Sequence, residues 1–480
     1  MSISIRRLAA FALVILAVPV AAQQEVPMRG TTPVAPQGIK IPPLPDAPVR
    51  YETAEGQNIR VSVYARGFRN PWSMAFVSAD TILVAERGGA IRVVRNGVVD
   101  PQPVAGGPQA IGAGLSGTDL ALHPDFARNR FVYISYTKQL EPAAPAAGRG
   151  AAPAAGQAAP AAAQGAVPPA AQGAVPPAAQ GAVPAAAQGA VPPAAQGAVP
   201  AAAQGAVPPG QGAAPAAGRG GGRGGGQPRT TVAVARAVWD GKRFNDVKDI
   251  FVGEGGSGGP IVFGGDGMLY VAHGGGDTQS PKTLGGKILR LTDEGKVPAD
   301  NPFVGRTDAR PEIFTMGHRT FLRMAKHPIT GAIWQIENGP NGGDEVNILA
   351  PGANYGWRLI SLGRTYGGPW QGPFTKEGFR DPIIYWMPAI AVSSIEFYTG
   401  DQLPKWKGDV FVSGMRYGEI PGTGRLDRIL INKNLEELRR ETLIGDLRRR
   451  IRAVKQGRDG FLYLLTDEAE GVMLKIEPAE

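Results

Sequence analysis

The sequence predicts an all-β fold, a six-bladed β-propeller interrupted by one long low-complexity loop. Two observations lead there: a unit of strand, tight turn and strand recurs six times, and 68 Gly and 44 Pro among 480 residues leave little room for helices. The second strand of each unit is the clearest part. These runs are TILV at 81–84, FVYI at 131–134, MLYV at 268–271, AIWQ at 332–335, DVFV at 409–412 and FLYL at 461–464. A Gly-rich stretch and a third strand follow most of them, as in AIRVV at 90–94, GKILR at 286–290 and VMLKI at 472–476. With the low-complexity tract discounted, the units recur at roughly 50 to 75 residues, the spacing of blades with long loops. A helical solenoid is the competing repeat architecture, but period-2 runs and the Gly and Pro density argue against it. Residues 435–440, LEELRR, are the one predicted helix.

Taken in order, residues 1–22 read as a secretory signal peptide. Arg6 and Arg7 precede an apolar run ending at Val20, and Ala21-Ala22 offers small residues for cleavage. The alternative, a membrane anchor, needs a longer apolar span. Residues 23–50 form a Pro-rich, flexible lead. Residues 51–480 then hold the propeller, interrupted at 142–227 by Ala, Pro, Gly and Gln, with repeats of AAQGAVPP and almost no charged or aromatic side chains. Such a tract cannot bury enough apolar surface to fold, so it is expected to be a disordered loop. It separates two strand-like runs, 131–136 and 230–237, and therefore reads as an expanded hairpin loop, which closure entropy tolerates.

The chain has no cysteine, which excludes disulfides, thiolate metal sites and cysteine nucleophiles together. An exported, disulfide-free protein points to a bacterial periplasm or to secretion. The formal charge is +9. Its basic residues are dispersed apart from Arg439-Arg440 and Arg448-Arg449-Arg450, so nucleic acid is not the expected partner. No later segment is apolar enough for a membrane span. Two stretches match the dinucleotide fingerprint GxGxxG, at 112–117 and 253–258, but each leads into a strand rather than a helix. A phosphate there would lack a helix N-terminus, and a nicotinamide cofactor falls with them.

Residues 337–357, ENGPNGGDEVNILAPGANYGW, concentrate groups that suit a hard cation. Asp344 and Glu345 supply carboxylates, and Gly339-Pro340, Gly342-Gly343 and Pro351-Gly352 hold backbone carbonyls in turns. The alternative is a polar, Gly-rich loop that follows the strand 333–336.

This segment resembles the signature of the soluble PQQ-dependent aldose sugar dehydrogenases, the glucose/sorbosone dehydrogenase family. PWSMAF at 71–76, LALHPDF at 120–126, KILRL at 287–291, PADNPF at 298–303, MGHR at 316–319, RIR at 450–452 and GRDGFLY at 457–463 match in the same order. The resemblance spans residues 58–478 apart from the insertion. It implies a periplasmic oxidoreductase that passes hydride from an aldose or related polyol to PQQ, a tricarboxylate quinone lying over a calcium ion, with a sugar substrate and an electron acceptor as partners. By position, Arg416 stands where the family has a Lys that meets the quinone, and Arg450 and Arg452 match its carboxylate-binding arginines. Alternation along a strand puts that last pair on one side. The carbonyls of Gly339 and Pro340 match the ligands of the calcium under PQQ. Glu345 and the main chain at Tyr355 match a second, structural calcium.

The pattern then departs where the chemistry is expected. The family's general base is a His followed four residues later by an Arg; aligned on IVF at 261–263, those positions are Gly256 and Pro260. A quinone-contacting Gln upstream of residue 120 is also missing. The four histidines are candidates for a replacement base. His123 and His327 precede prolines in turns and read as structural, and His318 belongs to the Gly-His-Arg turn. His273, at a strand end before Gly274-Gly275-Gly276, is the candidate substitute base, with Asp119 and Asp277 behind it. Two other readings stay open. One is a disabled propeller that binds a sugar, glycan or protein without turnover; the other is a calcium-dependent propeller hydrolase drawing on Asp119, Glu337 and Asp344.

Overall fold

Alternating apolar residues make the strands, and the way those strands pair makes the propeller. The computed structural model describes residues 39–110, 117–140, 229–366 and 369–479, with the backbone alone at 28–29 and 32–33. The chain divides into two units, Met1–Pro142 with Pro228–Glu480, and Ala143–Gln227. The second unit, the signal peptide, residues 112–116 of the first GxGxxG match and most of the Pro-rich lead lie outside the described residues.

Two short strands, β1 (Met28–Arg29) and β2 (Thr32–Pro33), pair with each other. Next come β3 (Val49–Tyr51) and β4 (Ile59–Phe68), which belong to the last blade. Blade 1 is β5 (Pro71–Phe76), β6 (Thr81–Glu86), β7 (Ile91–Arg95) and β8 (Val98–Val99). Blade 2 is β9 (Asp119–Leu122), β10 (Phe131–Gln139), β11 (Thr230–Trp239) and β12 (Phe244–Val252). Blade 3 is β13 (Ile261–Phe263), β14 (Leu269–His273), β15 (Lys287–Leu291) and β16 (Ile313–Met316). Blade 4 is β17 (Phe321–Lys326), β18 (Ile333–Glu337), β19 (Asp344–Ile348) and β20 (Ile384–Trp386). Blade 5 is β21 (Val392–Phe397), β22 (Val410–Gly414), β23 (Arg425–Ile431) and β24 (Glu437–Leu443). Blade 6 is β25 (Ile451–Gln456), β26 (Leu462–Thr466) and β27 (Gly471–Pro478), completed by β4 and β3 from the N-terminal side.

Six meandering antiparallel sheets with inner strands β5, β9, β13, β17, β21 and β25 touching in a closed ring make the predicted six-bladed propeller. Each junction between neighbouring blades holds its own buried apolar cluster, for example Leu83, Phe126 and Ile134 between blades 1 and 2, or Trp334, Val392 and Val412 between blades 4 and 5. β4 pairs with β27 from Phe68↔Gly471 to Ile59↔Pro478, so the two ends of the chain close the ring.

β10 and β11 pair in continuous register from Phe131↔Val238 to Gln139↔Thr230, and Leu140 N donates to Arg229 O at 2.7 Å. The long tract therefore joins two adjacent strands of one blade, as an expanded hairpin loop would.

The predicted helix at 435–440 is instead a turn at 435–436 leading into β24, the outermost strand of blade 5. The Asn432 side-chain oxygen accepts the amides of Asn434 and Glu436, Leu435 takes a left-handed φ of 67°, and the chain reverses to pair with β23. Pairing along a whole strand outweighs the helix preference of six residues. Likewise the end of the Pro-rich lead, expected to be flexible, is held at residues 39–51. Ile39 N donates to Pro421 O at 2.9 Å, Leu44 packs on the cluster between blades 5 and 6, and Tyr51 pairs with Ile59.

Candidate active site

The inner strands run away from one face of the propeller, and at that face β5, β17, β21 and β25 each carry a register irregularity at their second residue: Trp72, Leu322, Ser393 and Arg452. Bulges re-aim side chains. Three of these residues, Trp72, Leu322 and Arg452, line a cavity of about 250 Å3 on the axis. Its charged side chains among the described residues are the guanidinium groups of Arg87, Arg319, Arg450 and Arg452, with Ser257, Thr320 and Asn338 as the other polar side chains.

Three of those arginines converge on one carboxylate. Asp467 accepts from Arg87 at 2.6 Å on one oxygen, and from Arg450 at 3.0 Å and Arg452 at 2.5 Å on the other. Burial would raise the Asp467 pKa, but Arg452, Arg87 and Arg450 pull it down to about 2. Arg452 is itself wholly enclosed, and burial lowers its pKa to about 10. Its guanidinium lies 4.0 Å from the centre of the Trp72 ring, with Arg87 5.3 Å away on the same ring. One carboxylate cannot neutralise three arginines, so among the described residues the cavity keeps an excess of positive charge. The expected pairing of Arg450 and Arg452 on one side holds, since both reach the same Asp467 oxygen. Arg416 is not in the lining; it pairs with Glu419 at 2.8 Å, and its neighbour Met415 faces the cavity, 3.3 Å from Arg450. Sequence reasoning missed Arg87 and Asp467, although LTD at 465–467 adjoins the matched GRDGFLY and was open to inspection.

No His, Asp, Glu, Lys or Tyr lines the cavity among the described residues. Gly256 has φ +85°, and a Cβ there would stand 2.7 Å from the Gly274 carbonyl oxygen and 3.2 Å from His273 Cε1. The absent histidine is thus more than a lost side chain, because the backbone at 256 has taken a left-handed course that disfavours any other residue. His273 lies behind that wall, 1 % exposed. Its Nδ1 is 3.2 Å from Gly274 O and its Nε2 has no partner among the described residues. Burial lowers its pKa, so the ring is neutral at physiological pH. Lys287, opposite His273 on β15, is fully buried and gives its amine to the carbonyls of Asp277 and Gly285; burial lowers its pKa to about 8.

The other candidates are held by partners within the fold. His123 accepts the Asp125 amide at 3.0 Å, His327 accepts the amide of Thr330 at 3.1 Å, and His318 is enclosed between Thr315 and Glu337, stacked on Tyr355. Asp277 accepts the Gln279 amide at 2.9 Å, and Asp119 is bound by Arg323.

The cation-suited loop adjoins the cavity through Arg319 and Asn338. Arg319 donates to the carbonyls of Asn338 at 2.8 Å and Gly339 at 3.0 Å, so these oxygens already gather a positive group. Glu337 and Glu345 stand directly opposite across β18 and β19, and burial followed by the charge of Glu337 pushes the Glu345 pKa well above its usual value. Like charges placed so are costly unless a cation lies between them. Asp344 does something else: its carboxylate accepts the amides of Gly339, Ile390 and Val392, tying the loop to blade 5. Tyr355 N donates to Met316 O, and its hydroxyl to Ile348 O. Pro340 packs against Gly363. Among the described residues no three His, Asp or Glu side chains converge as a metal site, so the hydrolase reading lacks its carboxylate set.

The family described as Glucose / Sorbosone dehydrogenase matches residues 68–160 and 221–475. An uncharacterised protein of Synechocystis is 29% identical over 96% of this chain and 98% of its own length. The aldose sugar dehydrogenase YliI of Escherichia coli is 38% identical over 46% of this chain and 60% of its own length. Among solved structures, the soluble aldose sugar dehydrogenase of Escherichia coli in its apo form superimposes with a TM-score of 0.64, at 26% identity over 88% of this chain and all of that one. The PQQ-bound aldose sugar dehydrogenase of Streptomyces coelicolor has the same fold, with a TM-score of 0.56 at 20% identity over 87% of this chain and 97% of that one. With more than half of its length matched, and with the propeller and the ordered motifs in place, the chain belongs to the glucose/sorbosone dehydrogenase family.

Proposed function

We propose that the protein is a periplasmic PQQ- and calcium-dependent dehydrogenase that oxidises an aldose sugar or related polyol. The cluster of Arg87, Arg450 and Arg452 on Asp467 carries this reading, since it leaves a preorganised cationic cavity suited to a small polycarboxylate. PQQ, when bound, supplies a two-electron acceptor. The residues present fit it: guanidinium groups for its carboxylates, with Arg416 close by on blade 5. The carbonyls of Gly339 and Pro340 are the proposed ligands of a calcium beside it. Glu345, Glu337 and the main chain at Tyr355 are proposed to hold a second calcium. His273 is the proposed proton acceptor. It is neutral, as a base must be, and reaches the cavity only if residues 253–259, five of them Gly, move aside.

A second reading is favoured by the empty role of base. A cavity that no imidazole or carboxylate lines among the described residues, with a left-handed Gly256, suits a relative that binds its ligand without turnover. Calorimetric titration of calcium-loaded protein with PQQ, followed by dye reduction over a panel of aldoses, separates the two. Tight binding with sugar-dependent reduction establishes the dehydrogenase; tight binding without reduction gives the disabled relative; no binding removes PQQ from the account.

A further inference from the structure

The axial channel has a second chamber at the opposite face. It holds about 500 Å3 and is lined by all six inner strands, from Met74–Phe76 on β5 round to residues 453–456 on β25. It shares no lining residue with the arginine cavity. Between them lies an ion pair across the axis: Arg323 donates to Asp119 and, at 3.0 Å, to the Trp72 carbonyl, while Asp119 accepts the Ile261 amide at 3.0 Å. That pair joins blades 1 to 4 and forms the floor of a blind funnel.

The funnel has two chemically distinct zones. Its wall includes Leu122, Phe263, Met324 and Phe397, which give an apolar body. Its rim is charged. Lys455 is neutralised by Glu396 at 3.0 Å. Lys326 and Arg458 have no carboxylate partner among the described residues; Arg458 uses only Nε, on the Phe76 carbonyl at 2.8 Å. Both are exposed, and Ile329, in the turn beside the rim residue Pro328, is 89 % exposed. Uncompensated positive charge above a concave apolar wall of ligand size is complementary to an amphiphilic anion.

We propose that this funnel is a binding site for a small amphiphilic organic carboxylate, its carboxylate on Lys326 and Arg458 and its apolar part against Phe263, Met324 and Phe397. The site is independent of the arginine cavity and of turnover there.

Octanoate is the probe, titrated calorimetrically into the full chain. One octanoate per chain is expected, weakened about tenfold or more by Lys326→Ala with Arg458→Ala, since each charged hydrogen bond lost is worth roughly that factor. Both side chains are exposed, so the variant is expected to fold as the parent does. Arg450→Ala with Arg452→Ala should leave octanoate binding unchanged, and 1-octanol, which lacks the charge, should bind at least about tenfold more weakly. Absence of binding, equal affinity for octanol, retention in the rim variant, or loss in the Arg450/Arg452 variant would each overturn the proposal.

Discussion

A single carboxylate organises the residues that matter most. Asp467 lies 380 positions from Arg87 in sequence yet accepts its guanidinium at 2.6 Å. Replacing Asp467 with Asn should cost about 3–5 kcal/mol in urea unfolding, because Arg452 would be left buried without its counter-charge. The depressed pKa fixes the pH window. Asp467 contributes its full stability above 3.8 and loses it as pH falls toward about 2, so the difference between parent and variant should shrink over that interval. Arg450→Ala with Arg452→Ala should weaken PQQ by several kcal/mol, on the order of 1.5–3 per charged hydrogen bond. Unchanged PQQ affinity would end the cofactor assignment. His273→Gln should reduce sugar-dependent turnover by about a hundredfold or more with PQQ affinity unaltered, if it takes the proton. Its lowered pKa also means that it favours the fold fully above its usual 6.5 and opposes it progressively on acidification below that value. Unchanged turnover in His273→Gln would exclude it as the base. Of these residues, Arg450 and Arg452 were legible through the RIR motif. Arg87 and Asp467 were not singled out, because nothing local to either shows that they meet.

The strands were legible where they are buried on both faces and rich in β-branched and aromatic residues, as in LYVAH of β14 or LYLLT of β26. β24 was misread because its exposed outer edge permits Glu, Leu and Arg in a run that locally favours a helix, whereas its partner β23 decides the outcome. The β10–β11 hairpin carries its own test. Joining Leu140 to Arg229 through a short turn should preserve the fold and leave the melting temperature equal or higher, since closing a loop several doublings shorter relieves about 0.6 kcal/mol per doubling. Loss of cooperative melting would show that residues 141–228 contribute to the blade.

For the whole molecule, closure of the ring is the decisive contact. β4 completes blade 6 by pairing with β27, so a chain beginning at residue 39 should melt like the parent, while one beginning at residue 69 should lose its cooperative transition in a circular-dichroism melt. An unaltered melt for the shorter chain would show that five blades and an open sixth suffice. Periodicity, Gly-rich turns and ordered motifs were enough to determine an all-β six-fold repeat, its interrupted hairpin and its family, because these are properties of neighbouring residues. Only the tertiary structure decided that Arg416 faces Glu419 rather than the cavity, that Gly256 bends away from where a base would stand, that His273 is sealed behind it, and that the axis holds two chambers divided by Arg323 and Asp119. Each depends on side chains from different blades meeting at the axis, and the distance between blades along the chain hides that meeting from any local pattern.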